Sequence, residues 1–176
     1  DATTGLSQFD LDNLSADDRK ALESDGPAFA YHMRPGAKAL ILGPGGGWDV
    51  ARALASGSKD VTGVEINPII ANTIMRERYK GENKGIYLRP EVRLVVEDGR
   101  SYVRRTGEKY QVIQATLVDT WASTAAGAFA PARRALLVTR TGRQLAVALD
   151  GFGRGRARVP DDLWVDDQLD LDVQVD

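Results

Sequence analysis

The stretch ALILGPGGGWDVARALASG, residues 39–57, runs from four apolar residues into a turn carrying Gly43, Gly45, Gly46 and Gly47, and then into a helical pattern. A short apolar run bounded by turn residues predicts a buried strand. Val50, Ala53 and Leu54 recur at helical spacing, and Gly57 stands where a helix C-terminus would place a left-handed residue. Strand, glycine turn and helix together make a nucleotide-binding arrangement. Glycine lets the backbone turn tightly and approach a ligand, and a helix N-terminus offers unpaired N–H groups. The dinucleotide fingerprint G-x-G-x-x-G would need its third glycine at Trp48, whose bulk obstructs a pyrophosphate there. The loop reads instead as G-x-G-G-G, suited to a nucleoside with an amino-acid or aminopropyl arm. A glycine-rich turn with no ligand is the competing reading.

The segments downstream repeat the pattern. DVTGVEI is a second strand, NPIIANTIMRERYKG a helix with Pro68 near its first turn and Gly81 past its end, EVRLVVED a third strand, GRSYVRRTG a short helix and YQVIQATLV a fourth strand. Alternating strands and helices predict an α/β fold with a Rossmann-like parallel sheet. Glu65 closes the second strand, 22 residues after Gly43, where a carboxylate reaches ribose hydroxyls. Asp98-Gly99 closes the third; Asp98 can accept from an adenine amino group while Gly99 lets the base lie on the main chain. A helix N-cap with a turn glycine accounts for the same pair. All three features end consecutive strands, on the sheet edge where open α/β folds bind ligands.

Composition narrows the chemistry. The 176 residues carry a net charge of −2, which gives no electrostatic case for nucleic acid or an anionic membrane. There is no cysteine, which excludes disulfides, zinc thiolates and cysteine nucleophiles. His32 is the one histidine, so no histidine-rich metal site is expected. No apolar run approaches the ~18 residues of a spanning helix.

Three segments follow: a polar leader over 1–30, a nucleoside-binding domain over 31–130 and a divergent segment over 131–176. Within the leader, Ser15 is placed to cap a short helix. Residues 131–176 hold seven arginines and eight aspartates but no Lys, Glu, Ile or Asn. An altered reading frame in a GC-rich gene would produce that shift, and so would an ordinary Asp-rich tail. The segment is expected to pack poorly and not to complete the sheet, though ALLVTRTGRQLAVALDG suits a hairpin about Thr141-Gly142. The first residue is Asp rather than Met, so a trimmed or partial product is expected.

AYHMRPGAKALILGPGGGWDV, VTGVEINPII, GIYLRPEVRLVVEDGRSYVRR and YQVIQATLVDTWASTAAGAFA resemble the spermidine synthase-like proteins, a branch of the class I S-adenosylmethionine-dependent methyltransferase fold. The resemblance spans roughly 30–130 and stops at Pro131, so the fold is expected to be truncated or altered after the fourth strand. It implies an S-adenosylmethionine or decarboxylated S-adenosylmethionine ligand. It assigns Gly43, Gly45, Gly46, Gly47, Glu65, Asp98 and Gly99 to the nucleoside and Tyr31-His32 to the amine side. It also implies an amine acceptor, with a homodimer left open, in a cytoplasmic setting or as a soluble domain of a membrane-anchored parent.

The amine side departs from the family. The synthases hold an acid inside the glycine loop, where this chain has Gly46, and Asp49 lies three residues on. Their Asp-x-x-Asp pattern after the fourth strand becomes Thr116 and Asp119, with Thr116 in the position of the base. A Thr hydroxyl cannot act as a base near neutral pH or balance a cationic amine. Trp121 is a candidate aromatic wall, and a packing tryptophan equally. Three functions stay open: a transferase acting through a sulfonium, of the aminopropyl or methyl type; a nucleoside-binding module without catalysis; and an NAD(P)-dependent oxidoreductase, which Trp48 disfavours.

Overall fold

The structure, a computed structural model, describes residues 5–24 and 26–116, and the backbone of three further strands at 134–140, 143–149 and 155–157. Four parallel strands form its first half: β1 (Ala39–Leu42), β2 (Val61–Glu65), β3 (Val92–Val96) and β4 (Val112–Ala115). Their order is β3-β2-β1-β4, the first four positions of the doubly wound arrangement. The expected α/β sheet is therefore present. Leu42 lies opposite Val64 on one side and Ala115 on the other, so the strand ends align along one edge.

These strands are parallel because helices connect them, and both faces are covered. Ala39, Ile41, Val61 and Val112 share one core with Val50, Met75, Ile86 and Tyr87. Leu40 and Val64 face the other way and pack with Tyr102 and Tyr110. Helix α1 (Ala16–Glu23) begins at the expected cap, where Ser15 Oγ accepts from the Asp18 N–H at 3.0 Å. A short helix α2 (Phe29–Met33) leads to β1. Helix α3 (Trp48–Ala55) ends with Gly57 at φ +92°, its N–H bonded to Leu54 O and that of Ser58 to Ala53 O, which is the paired closure of a glycine C-terminus. After β2 comes a helix over Ile69–Arg78, wider than an α-helix, with the Tyr79 N–H reaching Ile74 O five residues back. Helix α4 (Gly99–Arg105) follows β3.

Beyond β4 the sheet changes direction. Strands β5 (Arg134–Arg140), β6 (Arg143–Leu149) and β7 (Gly155–Ala157) continue it antiparallel in the order β4-β5-β6-β7. The expected hairpin is found, with Arg140 opposite Arg143. The segment, expected to pack poorly and not to complete the sheet, does extend it: β5 pairs with β4 from Ala135 to Val138, and does so antiparallel, an altered course after the fourth strand. An antiparallel neighbour needs no right-handed helical crossover to pair along the edge of β4. The acidic ending of the chain lies outside the described residues.

The leader is held by the domain at its described residues. The Ser7 N–H bonds to Gly46 O at 2.8 Å, Phe9 meets the Trp48 ring edge-on with centroids 4.9 Å apart, and Asp12 pairs with Arg89 at 2.9 Å.

Candidate functional site

The carboxyl ends of β1, β2 and β3 bring the glycine loop, Glu65 and Asp98 to one edge. The loop departs from β1 through a bond from the Gly43 N–H to Val64 O, 2.9 Å long, which ties it to β2. Gly43, Gly45 and Gly47 have φ of +66°, +46° and +91°. A Cβ in that left-handed region is strained, so three of the loop's four glycines are required by its path. Gly47 is also the residue before α3, and its N–H closes a tight turn onto Pro44 O at 2.8 Å.

Gly46 is needed for another reason. A Cβ built there would lie 1.7 Å from the carbonyl oxygen of Gly5. The leader thus occupies the side of the loop where a side chain at 46 would stand. Asp49 does not fill that role from its place in α3: it bonds Arg52 at 2.7 Å, and both side chains are buried.

Glu65 is 5% exposed, and its carboxylate braces the loop. Oε2 accepts from the Gly45 N–H at 3.2 Å and Oε1 from the Asn67 N–H at 2.9 Å. A carboxylate has about four acceptor sites, so these two bonds leave capacity for others. Tyr87 completes the brace by donating to Gly45 O at 2.8 Å. Burial, followed by the charges of Glu65 and Asp49, raises its phenol well above the usual range, so it remains a donor. Sequence reasoning assigned Tyr87 no role; an aromatic between the wide helix and β3 carries no motif by itself.

Asp98 caps α4. Its Oδ1 accepts from the Ser101 N–H at 2.9 Å and from the Ser101 hydroxyl at 3.0 Å. Those two bonds, the backbone one first, hold its carboxyl below the ordinary range. The capping alternative is therefore realised, and an adenine contact would share this carboxylate. Asp98→Ala is expected to lower stability by ~0.5–2 kcal/mol, with Asp98→Ser recovering most of it. Thermal denaturation of both variants checks this, and an unchanged midpoint for the alanine variant would contradict it. Gly99 lies against Leu42, whose Cδ2 would be 3.3 Å from a Cβ at that position. The bend that ends β3 therefore packs close over the end of β1.

The amine-side pair separates. Tyr31 is buried and donates to Gln114 Oε1 at 2.7 Å. His32 is exposed, with its Nε2 2.7 Å from Glu23 O. Thr116 follows β4 as Gly43 follows β1, and its Oγ1 accepts from Gln114 Nε2 at 3.1 Å. Asp119 and Trp121 lie outside the described residues. Gln114 was missed; its signal is an uncharged polar residue inside a strand that must be buried on both faces. Among the described residues no group of three or more His, Asp or Glu could hold a metal ion, and no helix is long and apolar enough to cross a membrane.

About half of the chain has counterparts among curated proteins. The polyamine aminopropyltransferase of Thermoplasma acidophilum is 32% identical over 85 residues, covering 47% of this chain and 30% of the relative. That of Sulfurisphaera tokodaii is 33% identical over 84 residues, covering 47% of this chain and 27% of the relative. The chain is similar to polyamine aminopropyltransferases. It spans under a third of the length of these curated relatives, and no family model matches it. A solved spermidine synthase, in complex with the transition-state analogue AdoDATO, superposes with a TM-score of 0.43 at 16% identity, over 61% of this chain and 45% of its own.

Proposed function

We propose that this chain binds S-adenosylmethionine, or its decarboxylated form, across the ends of β1, β2 and β3, as a spermidine synthase-like transferase domain that has lost the carboxylate of its amine side. One observation carries the reading: a buried carboxylate, Glu65, closes β2 while holding the glycine loop through the Gly45 N–H. Its remaining acceptor sites suit a ribose diol. Ile66 and Val96, 66% and 40% exposed beside Glu65 and Asp98, offer an apolar rim for a base. The similarity to polyamine aminopropyltransferases supports the same ligand class. The acceptor is unassigned, and a methyl transfer uses the same sulfonium.

Transfer from a sulfonium requires alignment of a nucleophile with an already activated carbon, so positioning is most of the protein's task. A second reading, a nucleoside-binding module without catalysis, is favoured by Thr116 in the position of the base.

Titration calorimetry with S-adenosylmethionine, its decarboxylated form, methylthioadenosine and NAD tests the proposal. The adenosyl sulfur compounds are expected to bind and NAD not to; the reverse order would overturn it. Glu65→Ala is expected to weaken the adenosyl ligand by ~2–3 kcal/mol, the value of charge-assisted contacts to a diol. Unchanged affinity in a folded variant would remove Glu65 from the site.

A further inference from the structure

Gln114 is fully buried in β4, and its amide is bonded at both ends. Oε1 accepts from the Tyr31 hydroxyl at 2.7 Å; Nε2 lies 3.3 Å from Pro27 O and 3.1 Å from Thr116 Oγ1. The orientation of the amide is fixed by chemistry. A carbonyl oxygen can only accept, so the amide nitrogen must face Pro27. The same nitrogen then donates its second hydrogen to Thr116. Tyr31 must be the donor at the other end, and burial followed by the Asp49 charge keeps its phenol protonated.

These constraints give the chain of hydrogen bonds one direction: Tyr31 O–H to Gln114, then Gln114 N–H to Thr116. Thr116 Oγ1 accepts, so its own proton is directed elsewhere. Each bond in such a chain polarises the next and strengthens the terminal donor. The terminus stands at the end of β4 beside the end of β1, where the strand order reverses and open α/β folds take ligands.

We propose that Gln114 is a positioning residue that presents the Thr116 hydroxyl as a hydrogen-bond donor to the acceptor substrate, so that the group received there is an uncharged or anionic oxygen rather than an ammonium. The proposal rests on the nucleoside reading of this sheet edge. An ammonium has three donors and no acceptor, so at Thr116 it finds one remaining lone pair, on an oxygen already shared with Gln114, and no charge to balance its own. A carbonyl, hydroxyl or carboxylate oxygen supplies the missing lone pair.

Two four-carbon probes of matched length separate the cases: 1,4-butanediol and 1,4-diaminobutane. Each is titrated by ligand-observed NMR into the full chain, alone and with methylthioadenosine. The diol is expected to bind about tenfold tighter than the diamine. Thr116→Val, which keeps the shape and removes the hydroxyl, is expected to weaken the diol about three- to tenfold, the value of one neutral hydrogen bond. Gln114→Glu offers only acceptors, so it should draw the Thr116 proton inward, turn its lone pairs outward and move the preference toward the diamine about tenfold. A purely structural role for Gln114 would not reverse that preference. If Gln114→Glu does not fold, the Thr116→Val comparison still tests the proposal. Tighter binding of the diamine by the wild-type chain, equal binding of the two probes, or binding of neither overturns it. Failure of the nucleoside reading shows separately, as no response to methylthioadenosine in its own titration.

Discussion

Supplied with decarboxylated S-adenosylmethionine and 1,4-diaminobutane, the wild-type chain is expected to form no spermidine above the uncatalysed background. A general base contributes ~10²–10⁴-fold, and at the position where the resemblance places it this chain carries Thr116. A Thr hydroxyl has no basic form near neutral pH. The surroundings reinforce the loss, because Gln114 Nε2 donates to Thr116 Oγ1 at 3.1 Å and so occupies a lone pair on that oxygen. Thr116→Asp is the informative variant. Its carboxylate can accept the same Gln114 bond and keep acceptor sites for an amine proton. It is expected to raise spermidine formation at least tenfold over wild type while remaining slow, because Gly46 still supplies no second carboxylate for the diamine. Chromatographic detection of product from both proteins decides the matter. Robust turnover by the unmodified chain would contradict the assignment of Thr116.

Much of the fold could be read from residues 39–115, for a specific physical reason. Parallel strands buried on both faces must be continuous apolar runs, and ALIL and VTGV are such runs between turn residues. The helix ends were equally legible, because Ser15 and Gly57 satisfy backbone groups through side-chain and left-handed geometry that few other residues supply. Harder to read was whatever depends on contacts distant in the chain. The leader's polar composition gave no sign that Ser7 would bond Gly46 or that Phe9 would meet Trp48. Tyr31 and His32 are adjacent in the sequence and point to different partners, because consecutive residues on a helix lie about 100° apart. Gln114 went unread because its role exists only once β4 lies beside Tyr31 and Pro27. The hairpin about Thr141-Gly142 was legible, but its pairing with β4 was not, because composition was weighed above antiparallel pairing along that strand's free edge.

Gly46→Asp is expected to be the most damaging single change in the glycine loop, by about 2–4 kcal/mol. The figure combines overpacking of a tight contact with loss of about one hydrogen bond. The added Cβ would stand 1.7 Å from Gly5 O and 2.9 Å from Gly5 C, both backbone atoms that no rotamer change can remove. The leader must therefore lift. Lifting breaks the bond from the Ser7 N–H to Gly46 O and strains the contact of Phe9 with Trp48. The anionic side chain adds repulsion against the Gly5 carbonyl oxygen. The same argument accounts for the missing acid of the loop: with the leader seated on it, position 46 has no room for any side chain. Gly46→Ala isolates the steric part, because it carries the same Cβ without charge, and most of the loss should appear in it. Urea denaturation of the two variants gives the magnitudes, and hydrogen exchange at Ser7 reports whether the leader has lifted. Wild-type stability in Gly46→Ala, with Ser7 still protected, would show that the leader and the loop are not packed against each other.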